Sequence, residues 1–260
     1  MESFGLKCFG VGDGLACGDR NHSSYLYRVG DASLLIDCGE PVSRSYKATG
    51  LSYELIDRIF ISHLHADHIG GFFMLLQGIW LEERKKDLQV HLPGGCIPLI
   101  RQMLHAGFLF QELMTFRLNF LPLVSGQTVV EKNLRITPFP TTHLESLRRR
   151  YQAKYPGEYA AFSFLLESER WRVAHSADIG APEDLAPLLT KPLDLLVCEL
   201  AHVKPEELFA YLKGRDIKRI IFTHVGRYYW ERLEETQRLA TQSLPGVNVS
   251  FGRDLEVVEL

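Results

Sequence analysis

Between Ser62 and Gly71 the chain reads Ser-His-Leu-His-Ala-Asp-His-Ile-Gly-Gly, which sets three imidazoles and a carboxylate, His63, His65, His68 and Asp67, within six residues. Imidazole and carboxylate are ligands that Zn²⁺, Mn²⁺ and Fe²⁺ accept. Clustering them without a cation is costly, because neighbouring rings repel or desolvate one another as they titrate. A spacing of two puts His63 and His65 on the same side of an extended segment, so both can reach one ion. Asp67 and His68, adjacent at the start of a helix, point elsewhere and suit a second ion. A lone histidine after a strand is usually packed or solvated, but a full His-x-His-x-Asp-His string between a β-branched run and a Gly-Gly pair calls for chemistry.

Acids and imidazoles recur behind other short apolar runs, each of four to eight residues and rich in β-branched or aromatic side chains, as buried strands are. Runs over 33–36, 58–61, 134–137, 171–174, 193–198 and 219–222 lead into Asp37, His63, His143, Asp178, Glu199 with His202, and His224. A further run covers 159–166. Six strand ends thus deliver an ionisable group, and functional groups gather on loops at one end of a rigid sheet. Helices are expected over 67–77, 98–105, 182–189, 205–213 and 230–244. Pro205 followed by Glu206 and Glu207 makes a favourable first helical turn. Because 118–137 reads as sheet without helix, the expected class is α/β (α+β) with two packed sheets covered by helices rather than one doubly wound sheet.

With 260 residues, 46% hydrophobic and 23% charged, the chain can bury the core of a single domain spanning 1–260. A net charge of −3 and pI near 6.4 exclude a nucleic-acid binder that works by a global basic field. The start lacks the cationic and apolar pairing of a signal peptide, and no window approaches 18 uninterrupted apolar residues, so a cytoplasmic protein with no membrane partner is expected. The five cysteines are widely spaced, with no Cys-x-x-Cys, which argues against a disulfide framework or a zinc knuckle.

The His-x-His-x-Asp-His string with its Gly-Gly, the preceding Leu35-Ile-Asp-Cys-Gly39 and the later isolated His143, Asp178 and His224 resemble the metallo-β-lactamase superfamily. Its fold is a four-layer αββα sandwich. The resemblance covers essentially the whole chain and implies that His63, His65 and His143 hold one ion, that Asp67, His68 and His224 hold a second, and that Asp178 bridges them. Asp37 would orient the ligand loop through hydrogen bonds. Gly10-Val-Gly-Asp-Gly14, Arg20-Asn-His-Ser-Ser24, Asp37-Cys-Gly-Glu40 and Leu195-Leu-Val-Cys-Glu199 further resemble the ribonuclease Z-type phosphodiesterases. Two departures stand out. Only 34 residues separate His143 from Asp178, too few for the tRNA-binding arm of that group, and His202 is followed by Val-Lys rather than Ser-Thr.

The chemistry implied is metal-dependent hydrolysis. Two divalent cations, Zn²⁺ first, with Mn²⁺ or Fe²⁺ as alternatives, at about 3.5–4 Å lower the pKa of a shared water enough to supply hydroxide near neutral pH. Asp67, His202 and Glu199 are the catalytic candidates, His202 as general acid to the leaving group with Glu199 keeping it oriented and protonated. Arg148, Arg149 and Arg150 are weaker candidates for a substrate-binding rim, with a solvated charge run as the competing reading. His22, His91, His105 and His175 have no second ligand at useful spacing and are expected to be structural. The substrate expected is a small phosphodiester, with RNA as a further partner class and a homodimer suggested by the related phosphodiesterases. The alternative is a lactone, thioester or sulfate-ester hydrolase on the same site. A non-catalytic scaffold is disfavoured, since it has no physical reason to keep clustered imidazoles.

Overall fold

The computed structural model describes residues 3–260. Six strands form most of a first sheet: β1 (Phe4–Gly10), β2 (Ser24–Val29), β3 (Ala32–Ile36), β4 (Arg58–Phe60), β5 (Leu88–Leu92) and β6 (Leu118–Pro122). A second contains β7 (Val129–Glu131), β8 (Leu134–Thr141), β9 (Ala161–Glu167), β10 (Arg172–His175), β11 (Leu193–Leu200), β12 (Ile217–Val225) and β13 (Asn248–Phe251). The last strand, β14 (Val257–Glu259), returns to pair antiparallel with β1, which gives the orders β14-β1-β2-β3-β4-β5-β6 and β13-β12-β11-β10-β9-β8-β7. In each sheet one half is antiparallel and the other, β3 to β6 and β10 to β13, is parallel.

The strands read as unbroken apolar runs because both faces of each sheet are covered. Alternation along a strand sends neighbours to different cores. In β4, Ile59 packs toward the helices while Phe60 enters the space between the sheets, and in β11 Leu195 and Val197 face the first sheet while Leu196 and Cys198 face helices. The outer face of the first sheet is covered by α1 (Val42–Ala48), the one-turn α2 (Ala66–Ile69), α3 (Phe72–Leu81) and α4 (Ile97–Ala106). Beyond the short α5 (Glu145–Tyr151), the second sheet is covered by α6 (Pro205–Leu212), the one-turn α7 (Arg227–Trp230) and α8 (Leu233–Ser243). The result is the expected four-layer sandwich.

Several boundaries differ from expectation for identifiable reasons. The helix expected over 67–77 breaks into α2 and α3 at Gly70-Gly71. There the Gly71 N–H donates to the Cys38 carbonyl, and a Cβ on Gly71 would lie 2.7 Å from the Gly39 oxygen. The expected 182–189 helix closes as a 3₁₀ turn, Pro182–Leu185, and the 230–244 helix is preceded by a separate turn, α7. Helices α1 and α5 lay outside the sequence expectations. Of the five thiols Cys8, Cys38 and Cys198 are buried and Cys17 is exposed, all free. No helix of the described residues is long and apolar enough to cross a membrane.

The inter-sheet core carries the alignment of the two halves. Phe164 of β9 is fully buried there and meets Phe60 edge-on at a centroid separation of 5.7 Å. Phe164→Ala should cost about 3–5 kcal/mol from lost transfer and cavity formation. Urea unfolding should show this as a lower midpoint at unchanged slope.

Candidate metal centre

The ionisable groups expected at strand ends converge beside the C-terminal ends of β3, β4, β8, β10, β11 and β12, of which β8 lies in the antiparallel half of its sheet. Asp37 follows β3, and its carboxylate is the first support. Oδ1 accepts the Ser62 N–H at 2.7 Å, while Oδ2 accepts the Ser62 hydroxyl at 2.8 Å and pairs with His68 Nδ1 at 2.7 Å. These bonds tie the end of β3 to the His63–His68 loop and leave His68 Nε2 as the nitrogen presented to the centre. The loop is pressed onto 37–39 so tightly that a Cβ on Gly39 would lie 2.3 Å from the Asp67 carbonyl, which explains glycine in Asp-Cys-Gly.

His224 reaches the centre by a different device. The β11–β12 register steps from Glu199↔Thr223 to Leu200↔Val225, so His224 is the extra residue of a bulge, at φ 47°. A bulge re-aims a side chain that regular alternation would send elsewhere. Its N–H is captured by the Val11 carbonyl at 2.7 Å. The loop carrying Val11 is held by Asp254, whose carboxylate accepts the N–H groups of Val11 and Asn21, and by the buried Arg20, which donates to the Val225 carbonyl at 2.8 Å and lies 4.5 Å from the Trp230 ring centroid. The glycine loop 10–14 therefore braces the His224 backbone beside the cluster.

Two groups of donor atoms that share Asp178 result, beside a third of Glu199, His202 and His224. His63, His65, His143 and Asp178 form one, and Asp67, His68, Asp178 and His224 form the other, the atoms of each within 4.8 Å of one another. In the first, His63 Nε2 and His143 Nε2 both approach His65 Nδ1 at 3.1 Å, and both lie near Asp178 Oδ2, at 3.7 and 3.6 Å. In the second, Asp178 Oδ1 lies 3.3 Å from His68 Nε2 and 3.7 Å from His224 Nε2, and Asp67 Oδ2 lies 3.0 Å from His224 Nε2. Asp178 thus addresses one oxygen to each group.

This donor chemistry fits cations. One ring nitrogen, His65 Nδ1, can serve as donor or acceptor to one of its two nitrogen neighbours but not to both. Buried His68 Nε2 and Asp178 Oδ1 make no well-formed hydrogen bond although they face each other. Burial, with repulsion from His68, holds His63 well below its ordinary range; burial lowers His65 and takes His143 down to about 4, so these rings stay neutral lone-pair donors. For His68 and His224 burial opposes charge, but Asp178, joined by Asp37 at His68 and Asp67 at His224, raises both. Burial also opposes ionisation of Asp67 and Asp178, yet the surrounding imidazoles hold both carboxyls well below the usual range.

Beside the cluster, Glu199 is 2% exposed and saturated. Its carboxylate accepts the N–H groups of Ile179, Ala201 and His202 and pairs with His202 Nδ1 at 3.0 Å. The His202 ring, 35% exposed, lies 4.4 Å from the His143 ring centroid and 3.7 Å from Asp178 Oδ2. Burial lowers the His202 pKa, but the hydrogen bond and charge of Glu199 more than offset that and raise it to about 9.

Arg148, Arg149 and Arg150 lie on α5, which starts two residues after His143. On α5, Arg148 and Arg149 both turn to Glu145, at 2.6 and 2.8 Å, and Arg150 lies over the Tyr151 ring. The i, i+3 and i, i+4 spacing that makes these pairs was visible in the sequence. Two supporting residues were not singled out there. Ser62, within the string itself, links Asp37 to His63 and His68. Asp184 gathers the Thr142 and Gly180 N–H groups on one oxygen, tying the His143 loop to the Asp178 loop; no spacing rule in the sequence signals that contact. Of the histidines expected to be structural, His22 faces the Asp13 carbonyl, His91 stacks on Phe60 and His175 bonds Tyr27.

The model of the family described as anti-Pycsar protein Apyc1 matches residues 4–225. The ribonuclease Z of Methanothermobacter thermautotrophicus is 32% identical over 125 residues, 48% of this chain and 40% of that protein. The chain thus spans less than half the length of the curated relatives it matches. The crystal structure of the metallo-β-lactamase fold protein YhfI from Bacillus subtilis superposes with a TM-score of 0.79 at 18% identity, covering 99% of this chain and 100% of that one. A diphosphatase of the PhnP family superposes with a TM-score of 0.72 at 17% identity, covering 99% and 98%.

Asp37 touches none of the donor atoms of the first group and acts only through Ser62 and His68. Asp37→Asn should weaken metal affinity by about 10–100-fold. Competition of the loaded protein with a chromophoric chelator measures this, and an unchanged affinity would remove Asp37 from the support of the site.

Proposed function

This chain belongs to the family of the anti-Pycsar protein Apyc1, with the metallo-β-lactamase fold, and on that premise we propose that it is a binuclear metal-dependent phosphodiesterase acting on a small nucleotide-derived phosphodiester. The observation that carries the reading is the placement of Asp178, one carboxylate whose two oxygens face two separate sets of imidazoles. His63, His65, His143 and Asp178 would hold one cation and Asp67, His68, His224 and Asp178 the other, Zn²⁺ being favoured over Mn²⁺ or Fe²⁺ by the imidazole-rich donor set. When bound, two such cations lower the pKa of water and neutralise charge on phosphoryl oxygens.

The chain's own side chains supply the rest. Hydrolysis forms a P–O bond from the oxygen of water and breaks the P–O bond to the leaving oxygen. That oxygen departs as an alcohol with the proton held on His202, and a proton released from the water restores the imidazolium. With Nδ1 engaged by Glu199, Nε2 is the ring nitrogen left to meet the leaving oxygen. Glu199 is itself fixed by three backbone N–H groups, so the ring is held in one orientation before substrate arrives. Asp37 and Ser62 hold His68 in the tautomer that presents Nε2.

A small substrate is favoured over RNA by the segment between His143 and Asp178. It is used up by α5 and the β9–β10 pair, which leaves no length for an RNA-binding arm.

Metal analysis of protein purified without added ions should find close to two equivalents. Activity on bis-p-nitrophenyl phosphate should exceed that on a lactone and a thioester; equal or greater activity on either of those would replace the phosphodiester reading. His202→Ala should lower kcat by about 10²-fold or more on diesters with alkoxide leaving groups, and far less where p-nitrophenolate departs. Because Glu199 raises the His202 pKa, Glu199→Gln lowers it, and the basic limb of the kcat–pH profile should move to lower pH. A stationary limb would deny Glu199 that part.

A further inference from the structure

Away from the metal centre, the outer face of β14, β1 and β2 and the segment after α1, with Thr49 and Leu51, line a cavity of ≈ 340 Å³. The strand register lays its floor out in two rows. Glu259, Gly5 and Arg28 lie side by side across β14, β1 and β2, and Val257, Lys7 and Leu26 form the next row on the same face. The middle of the first row is bare backbone: a Cβ on Gly5 would meet no atom within 4 Å. Arg28 and Glu259 therefore stand on either side of an open gap. Among the described residues the Arg28 guanidinium makes no ion pair or side-chain hydrogen bond, and Lys7 Nζ has the Leu255 carbonyl at 3.5 Å but no carboxylate partner. Arg28 and Lys7 are diagonal neighbours on adjacent strands, close enough for two long side chains to meet on one ligand.

We propose that this cavity is a binding site for a small amphipathic monocarboxylate, with the carboxylate held between Arg28 and Lys7 and the apolar body lying over Gly5 against Leu26, Leu51 and Val257. The charge balance selects the head group. Two cations and one acid face the space, so a single negative charge restores neutrality. The planar guanidinium is shaped to take a carboxylate through two parallel hydrogen bonds. A dianion would bring surplus charge against Glu259, and a wholly apolar guest would desolvate two cations without pairing them. The size selects the body: the volume is at the small end of the roughly 300–1,000 Å³ of small-molecule pockets. The site is separate from the metals. From Gly5 the chain runs along β1 to Val11, which braces His224, a distance of about 20 Å at about 3.3 Å per residue.

The probe is octanoate, titrated into the metal-loaded protein by isothermal calorimetry beside acetate, octan-1-ol and octylammonium. Octanoate should bind with a stoichiometry of one, and each of the other three should bind at least about tenfold more weakly, for want of the apolar body or of the negative charge. Arg28→Gln should weaken octanoate by about tenfold, the scale of one lost charge-assisted hydrogen bond. Gly5→Leu fills the gap with a side chain that the strand has room for, so octanoate binding should vanish while the thermal midpoint does not fall. Both variants should hydrolyse bis-p-nitrophenyl phosphate at the wild-type rate, which reports an undisturbed metal centre. Equal binding of octan-1-ol or acetate would reduce the cavity to an apolar hole or a simple anion site and overturn the proposal. So would octanoate binding that survives Gly5→Leu or is unchanged in Arg28→Gln, since the carboxylate would then be held elsewhere, at the metals for instance. Absence of octanoate binding to the wild-type protein would overturn it outright.

Discussion

The packing of six lone-pair donors around the Asp178 carboxylate is the constraint that the surrounding structure answers. Neutral imidazoles of the first group present nitrogens to one another at distances a hydrogen bond can satisfy only in part, and the carboxylates of the second are ionised in a buried setting. Burial makes each such arrangement expensive unless positive charge is supplied. The neighbouring structure therefore works to prevent the donors from relaxing apart. Asp37 and Ser62 fix His68, the Val11 carbonyl fixes the His224 backbone, and Asp184 fixes the loops of His143 and Asp178. Asp37, Ala177 and His224 all sit at positive φ without being glycine, a conformation that costs about 1–3 kcal/mol and persists only where the surroundings over-determine it.

A two-sheet sandwich suits this demand. Strands buried on both faces cannot slide, since a one-residue slip would send Phe60 or Phe164 from the inter-sheet core toward the helices. Their C-terminal ends are consequently fixed points from which short loops can place a carboxylate or an imidazole to within the tolerance that ion binding needs. The inter-sheet core and the centre are two aspects of one arrangement, because β4, β8, β10, β11 and β12 contribute to both.

How much of this is legible in the sequence follows from how local each signal is. The His63–His68 string is compact and its residue types admit few uses, so the centre can be read directly. Asp37, His143, Asp178 and Glu199 are legible because each follows an apolar run that only a doubly covered strand explains. His224 is legible as a residue after a strand, but its delivery by a bulge is not, since the bulge exists only relative to the register of β11. The division of 67–77 at Gly70-Gly71 is likewise set by the approach of Cys38 and Gly39 from elsewhere in the chain. The arginine run after His143 reads equally well as a phosphate rim or a solvated face. Glu145, one turn away, pairs with Arg148 and Arg149 once the segment is helical.

The same division separates what the centre does from what it acts on. The donor groups are determined from inside, by burial and by the two sheets, and leave little freedom to vary without losing the ions. The elements around the mouth, α5, the loop after Asp178 and the exposed face of α6, are attached to the frame but not needed to close it. Their charge pattern can therefore change independently. In this chain Arg148 and Arg149 of α5 share the one Glu145 while Arg150 lies over Tyr151, and α6 presents a lysine beside an acid and an aromatic ring.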